Sequence, residues 1–198
     1  MKSIAPWALA ALLAAGAVHV NAAPASFAPS TDVHGTRLQL NGSGSRYKAV
    51  FKVYDMALYT TRKVGTPEDV LALPGPKKLQ FVAQRELPST DLGRLFVKGM
   101  SDNATRDQNI RHMTSSMRLI EIFSSRNKLM PGDTFAMEFT PGKGTQFVVQ
   151  GQNVGEPVGD AEFFSMVLGI WFGPSPADHL LESALLGQDK QQTANAQR

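Results

Sequence analysis

One short stretch of the chain collects most of the side chains from which an anion site could be built: Arg46, Lys48, Lys52, Tyr54 and Tyr59. A guanidinium can hold a carboxylate through two parallel N–H donors, and a phenol can add another hydrogen bond. The same residues also fit a plainer arrangement, with Arg46 closing a hairpin and both tyrosines packed with their hydroxyls in water. Geometry sets a condition on the first reading. Arg46 and Tyr59 would lie roughly 43 Å apart along one straight strand, so they can share a ligand only if the chain turns back between them.

Other chemistry is poorly supported. Gly42-Ser43-Gly44 leads into a strand pattern rather than a helix and lacks the Lys-Ser/Thr pair of a phosphate loop, so it reads as turn chemistry. His19, His34, His112 and His179 form no metal-ligand spacing, and cysteine is absent, which excludes thiol catalysis and a disulfide scaffold. Asp107 and Arg111 stand four apart, as an ordinary helix-surface ion pair does. No metal, redox cofactor or nucleic-acid motif is expected, and the net charge of +3 is too small to suggest a nucleic-acid footprint.

The elements that must position these residues occupy a chain of 198 residues, 42% hydrophobic and 19% charged, enough for one full-sized core. Lys2, the nearly uncharged run Ile4–Val20 and the small-residue end Val20-Asn21-Ala22 read as a secretory signal peptide over 1–22. A short membrane anchor is the competing reading of that run. No later run is apolar and long enough to span a bilayer, so no stable membrane insertion is expected after processing. Residues 23–35 read as a flexible leader, 36–187 as the domain and 188–198 as a polar tail.

Alternation at Leu38 and Leu40, the turn-tolerant Asn41–Ser45 segment, and alternation again at Tyr47, Ala49, Phe51 and Val53 predict a hairpin. Strand signals continue at Met56–Thr61 and Lys78–Gln84, with a short helix or turn near Glu68–Leu73. Helices are expected at Thr90–Gly99, with Ser89 as cap, and at Thr105–Ser125, whose Ile110, Met113, Met117, Ile120 and Phe123 fit an apolar core stripe. The methionines are then core filler rather than ligands. A second hairpin is read at Thr134–Thr140 and Thr145–Gln150 around Pro141–Gly144. Asp160 suits the cap of a helix carrying Phe163, Phe164, Val167, Leu168 and Trp171, and Ser175-Pro176 the start of a last helix that Gly187 ends. Sheet, helices, sheet, helices is the order of one α+β layered domain.

Three segments carry a family resemblance: GSGSRYKAVFKVYDMALY at 42–59, PGDTFAMEFTPGKGTQFVVQG at 131–151 and IWFGPSPADHLLESALLG at 170–187. Together they resemble the chalcone isomerase-like superfamily, and most nearly its exported bacterial branch. The resemblance implies a curved antiparallel β-sheet packed against a layer of α-helices, an open-faced β-sandwich. Its cleft holds flavonoids in plant isomerases and fatty acids in plastid relatives. Arg46 matches the family arginine that binds a phenolate or a carboxylate, and Tyr59 the tyrosine that joins it at a fatty-acid head group.

Departures accompany the likeness. Tyr54 stands where the isomerases have a catalytic-network threonine, no tyrosine occurs around Pro88-Ser89-Thr90, and Arg94–Gly99 offers no match to the isomerase asparagine. Ring closure needs both a phenolate cradle and donors at the enone, so the arginine alone would leave binding without rate enhancement. The leading expectation is therefore a periplasmic or secreted, non-enzymatic protein that binds a fatty acid or other small apolar carboxylate through Arg46 and Tyr59. The alternatives are a chalcone-isomerase-like intramolecular lyase, and a structural or protein-interaction protein with a closed pocket, in which Tyr54, Met56, Phe164 and Trp171 are packing residues. Neither a protein partner nor an oligomeric state can be read from the residue pattern.

Overall fold

A computed structural model describes residues 25–188; the expected signal peptide and polar tail lie outside these residues, apart from Gln188. The chain runs β1 (Ser30–Val33), β2 (Thr36–Lys48), β3 (Phe51–Thr60), α1 (Pro67–Ala72), β4 (Lys77–Ala83), β5 (Leu87–Pro88), α2 (Ser89–Asp102), α3 (Arg106–Arg111), α4 (Met113–Ser124), β6 (Lys128–Leu129), β7 (Thr134–Thr140), β8 (Gly144–Val149), β9 (Gln152–Val158), α5 (Ala161–Phe172) and α6 (His179–Leu185). Seven strands form one antiparallel sheet in the order β1-β2-β3-β4-β7-β8-β9, while β5 and β6 pair separately. This is the expected α+β architecture, a curved antiparallel sheet with helices on one face. Among the described residues no helix is long and apolar enough to cross a membrane.

The core lies between sheet and helices. Phe81 stacks on Phe135 at 4.2 Å between ring centroids, and Trp171 of α5 and Phe96 of α2 close over Phe81 at 5.5 and 5.8 Å. Helix α5 is apolar around most of its circumference and buried accordingly, capped by Asp160, whose Oδ1 accepts from the Phe163 amide. On the opposite face Val33, Leu38, Ala57 and Tyr59 make a small second core, with Phe27 and Leu40 packed against it.

Strand β2 departs from its sequence reading in an informative way. The Asn41–Ser45 segment is no turn but the middle of a continuous strand, and the turn falls at Ala49–Val50. Gly42 and Gly44 are required by proximity: a Cβ at Gly42 would stand 2.2 Å from the Ala184 carbonyl oxygen, and one at Gly44 2.6 Å from the Ala184 Cβ. Their missing side chains let α6 lie on the strand. Leu40 pairs with Tyr59 but Gly42 with Leu58, which leaves Asn41 as the extra residue of a β-bulge. Asn41 is buried; its Nδ2 donates to Val64 O at 3.0 Å and Leu185 O at 2.8 Å, and its Oδ1 accepts from Val64 N at 2.8 Å.

Further differences have local causes. Residues 30–33, inside the expected leader, pair with β2 as strand β1. β9 continues the second hairpin as an additional strand without an alternating pattern to announce it. The expected helix over 105–125 breaks at His112, whose buried ring meets the Glu162 carboxylate at 2.8 Å. Arg111 and then His112 hold that carboxyl down at about 2, and Arg111 binds Glu162 rather than Asp107. Of the expected stripe only Phe123 is buried: Ile110, Met113 and Met117 face solvent, and α4 enters the core through the face of Leu119, Ile122 and Phe123 instead. Met113 and Met117 are therefore not core filler. Ser89 is buried with no hydrogen bond to its Oγ instead of capping α2. Residue 175 stays in a loop because Asn103 bonds both its N–H and its C=O, and the last helix starts at His179 with Asp178 as cap.

Asn41→Ala is expected to destabilise the fold by about 2–4 kcal/mol, because it leaves Val64 and Leu185 backbone groups buried without partners. The urea midpoint reports this; a loss below about 1 kcal/mol would mean that the bulge is held by other interactions.

Candidate functional site

Beyond the bulge, the inward-facing residues of β2 are Gly42, Gly44 and Arg46, paired with Leu58, Met56 and Tyr54 of β3. Side chains directly opposite on one sheet face are close neighbours. Arg46 and Tyr54 thus stand together at the sheet end nearest the Ala49–Val50 turn. They line a cavity of about 240 Å3 whose remaining wall is formed by Lys48, Val53, Leu92, Leu95, Phe96, Gly99, Ile170 and Ala177. Helix α2 supplies Leu92, Leu95, Phe96 and Gly99, spaced as one helix face, so this wall presents no donor or acceptor side chain.

The polar mouth is electrostatically unbalanced. Arg46 Nη1 donates to Asp178 Oδ2 at 3.0 Å and to the Tyr47 carbonyl. The other oxygen of Asp178 accepts from the amides of Leu180 and Leu181, so this carboxylate caps α6 and anchors the guanidinium together. Both Arg46 side-chain bonds use Nη1, which leaves Nε and Nη2 without a partner among the described residues. With Lys48 beside it, the mouth holds two positive charges against the one negative charge of Asp178.

Tyr54 is buried, and its oxygen accepts from Trp171 Nε1 at 3.1 Å. Its own O–H has no acceptor among the described residues. Burial pushes the phenol up to about 12, against smaller opposing effects of the Trp171 hydrogen bond and the Arg46 charge. At neutral pH it is therefore a protonated donor beside the guanidinium.

Tyr59 stands elsewhere. It follows Tyr54 by an odd number of residues on a regular strand, so it emerges on the opposite sheet face. There it is 1% exposed, packs with Val33 and Leu38, and donates to Ala28 O at 3.0 Å. Burial raises this phenol too. The chain does turn back between Arg46 and Tyr59, yet the structure does not bring them together. Tyr54 is the phenol at Arg46. The signal for it was present in the parity of β3, but it needed the position of the turn, which the Gly42–Ser45 segment obscured. Lys52, also in the sequence cluster, turns to the outer face and pairs with buried Asp55 at 2.9 Å. No group of His, Asp and Glu side chains among the described residues could hold a metal ion.

A curved antiparallel sheet under a helical layer is the architecture that the chalcone isomerase-like resemblance implies. The chain belongs to that family: the chalcone isomerase-like family model matches residues 19–187. Among solved structures, the fatty-acid binding protein AtFAP1 of Arabidopsis thaliana is similar, with a TM-score of 0.63 and 14% identity over 81% of this chain and 90% of that chain. At that identity the likeness concerns the fold. No curated protein sequence matches.

In the folded chain Tyr54 keeps its proton to about pH 12, whereas in the unfolded chain it ionises near its ordinary value of 10. Stability should therefore fall as pH rises through this window, by on the order of 2 kcal/mol from this group. An ultraviolet absorbance titration should show one tyrosine ionising last, near pH 12 or with unfolding, and Tyr54→Phe should remove that step. Unchanged titration in the variant would contradict the buried Tyr54–Trp171 arrangement.

Proposed function

We propose that this chain is an exported, non-enzymatic member of the chalcone isomerase-like family that binds a fatty acid or related small apolar carboxylate between β3 and α2. The observation that carries the reading is the uncommitted donor set at the cavity mouth: Arg46 Nε and Nη2 beside the Tyr54 O–H, with apolar walls behind them. A carboxylate placed there would accept a bidentate bond from Arg46 and a third from Tyr54, and would neutralise the excess positive charge. Each methylene withdrawn from water behind it contributes about 0.8 kcal/mol. A cavity of about 240 Å3 favours a short or medium chain, or a longer one whose end emerges past the exposed side chain of Leu95.

The non-enzymatic part of the reading rests on the α2 wall. Isomerisation of a chalcone requires donors at the enone as well as at the phenolate, and Leu92, Leu95, Phe96 and Gly99 supply none from the helix. The fatty-acid binding described for AtFAP1 is consistent with the proposed ligand class. The periplasmic or secreted location is supported by the charge, apolar run and small-residue end of residues 1–22. Mass spectrometry of protein recovered from an expressing cell should find a chain starting at Ala23; a retained Met1 segment would overturn export by cleavage.

Calorimetric titration with saturated fatty acids of increasing length tests the site. Arg46→Ala should weaken binding at least about tenfold and Tyr54→Phe by several-fold, as the loss of a charge-assisted and a neutral hydrogen bond implies. Tyr59→Phe should leave affinity unchanged. Equal affinity in wild type and Arg46→Ala would refute the proposed head-group site.

A further inference from the structure

The turn joining β2 to β3 has a composition that turn chemistry alone does not explain. Ala49 takes a φ of 53°, where glycine, asparagine and aspartate are at home, and it is followed by Val50. The side chains displayed here are apolar: Val50 is 84% exposed, Phe51 60% and Tyr47 45%. The Arg85 guanidinium lies 5.3 Å from the centre of the Phe51 ring, and Lys48 is exposed beside it. Neither cation has a carboxylate partner among the described residues. The acidic groups around them are engaged elsewhere: Asp55 with Lys52, Asp178 with Arg46, and Glu86 with Lys128.

An apolar protrusion ringed by unneutralised cations matches an anionic lipid surface on both counts. Apolar and aromatic side chains partition into the boundary between head groups and acyl chains, and each lysine or arginine near an anionic leaflet contributes about a factor of five in affinity. The exposed large apolar side chains of the tip are Tyr47, Val50 and Phe51, far fewer than the roughly 20–30 residues a side of a stable protein interface. The tip also adjoins the cavity, because Lys48 belongs to both.

We propose that the β2–β3 turn is a membrane-docking element, with Val50 and Phe51 inserted into the surface of an anionic bilayer and Lys48 and Arg85 on its head groups. Docked in this way, the protein holds the Arg46 mouth against the lipid surface, where an apolar carboxylate can pass between bilayer and cavity without crossing water. The docking step does not require a ligand in the cavity. It can therefore fail while carboxylate binding stands, or stand while carboxylate binding fails.

The absence of cysteine allows a single environment-sensitive nitrobenzoxadiazole label at Val50→Cys in the full chain. A matched label at Lys143→Cys occupies the exposed turn between β7 and β8, at the other end of the sheet. Fatty-acid-free phosphatidylcholine vesicles containing phosphatidylglycerol should raise and blue-shift the emission at position 50 and not at position 143. Pure phosphatidylcholine should give little response. Replacing both Lys48 and Arg85 by Ala should lower partitioning about thirtyfold, and Phe51→Ser should lower it in its own right. The proposal is overturned by no response at position 50, by equal responses at both labels as for anchoring through residues 1–22, or by equal partitioning of the charge variant. A response that grows with protein concentration without vesicles would point to self-association and would also overturn it.

Discussion

One inserted residue determines which side chains meet at the cavity. Before Asn41 the even-numbered residues of β2, Leu38 and Leu40, face the outer core with Tyr59; after it Gly42, Gly44 and Arg46 face the helices. Without the bulge a regular strand would carry the arginine to the outer face, away from every apolar residue of the cleft. The bulge is held by three hydrogen bonds from one amide side chain to the β3–α1 connection and the end of α6. The same contacts seat α6 on the two glycines. That seating brings Asp178, at the helix start, to Arg46. Strand register, helix placement and the electrostatics of the mouth are consequently one linked arrangement.

The linkage explains why the mouth can be charged and still open. Asp178 occupies one nitrogen of the guanidinium and fixes its position, so little side-chain entropy would remain to be lost on binding the proposed anion. It leaves the other donors free because its second oxygen is turned to the amides of α6. Trp171 acts similarly on Tyr54 by occupying the phenol oxygen and leaving the proton available. The low polarity that keeps this phenol protonated comes from the core aromatics that build the sandwich. Donors pre-set in this manner bind an anion at less cost than flexible surface cations.

Much of this was legible in the residues. The layered α+β class, the second hairpin and the Asp160 cap follow from alternation, turn chemistry and capping pattern. The failures share a cause: several residues have local preferences that long-range contacts override. Gly42 and Gly44 look like turn residues until α6 is known to cross them. Met113 and Met117 fit a core stripe until α4 is known to pack through Leu119, Ile122 and Phe123, which leaves the two methionines on its solvent side. Motif position couples Tyr59 to Arg46, whereas parity along β3 puts Tyr54 opposite the arginine. Parity could not be used from the sequence because both the turn position and the bulge were hidden in a segment that resembled a loop.

The most direct measurement is nuclear magnetic resonance of the chain with 13Cζ-labelled tyrosine, titrated with decanoate. Its three tyrosines give three ring signals, which single Tyr→Phe variants assign. Binding at the Arg46 mouth predicts that the Tyr54 signal moves with ligand saturation while the Tyr59 signal stays fixed. Saturable binding that moves Tyr59 and leaves Tyr54 unchanged would contradict the account.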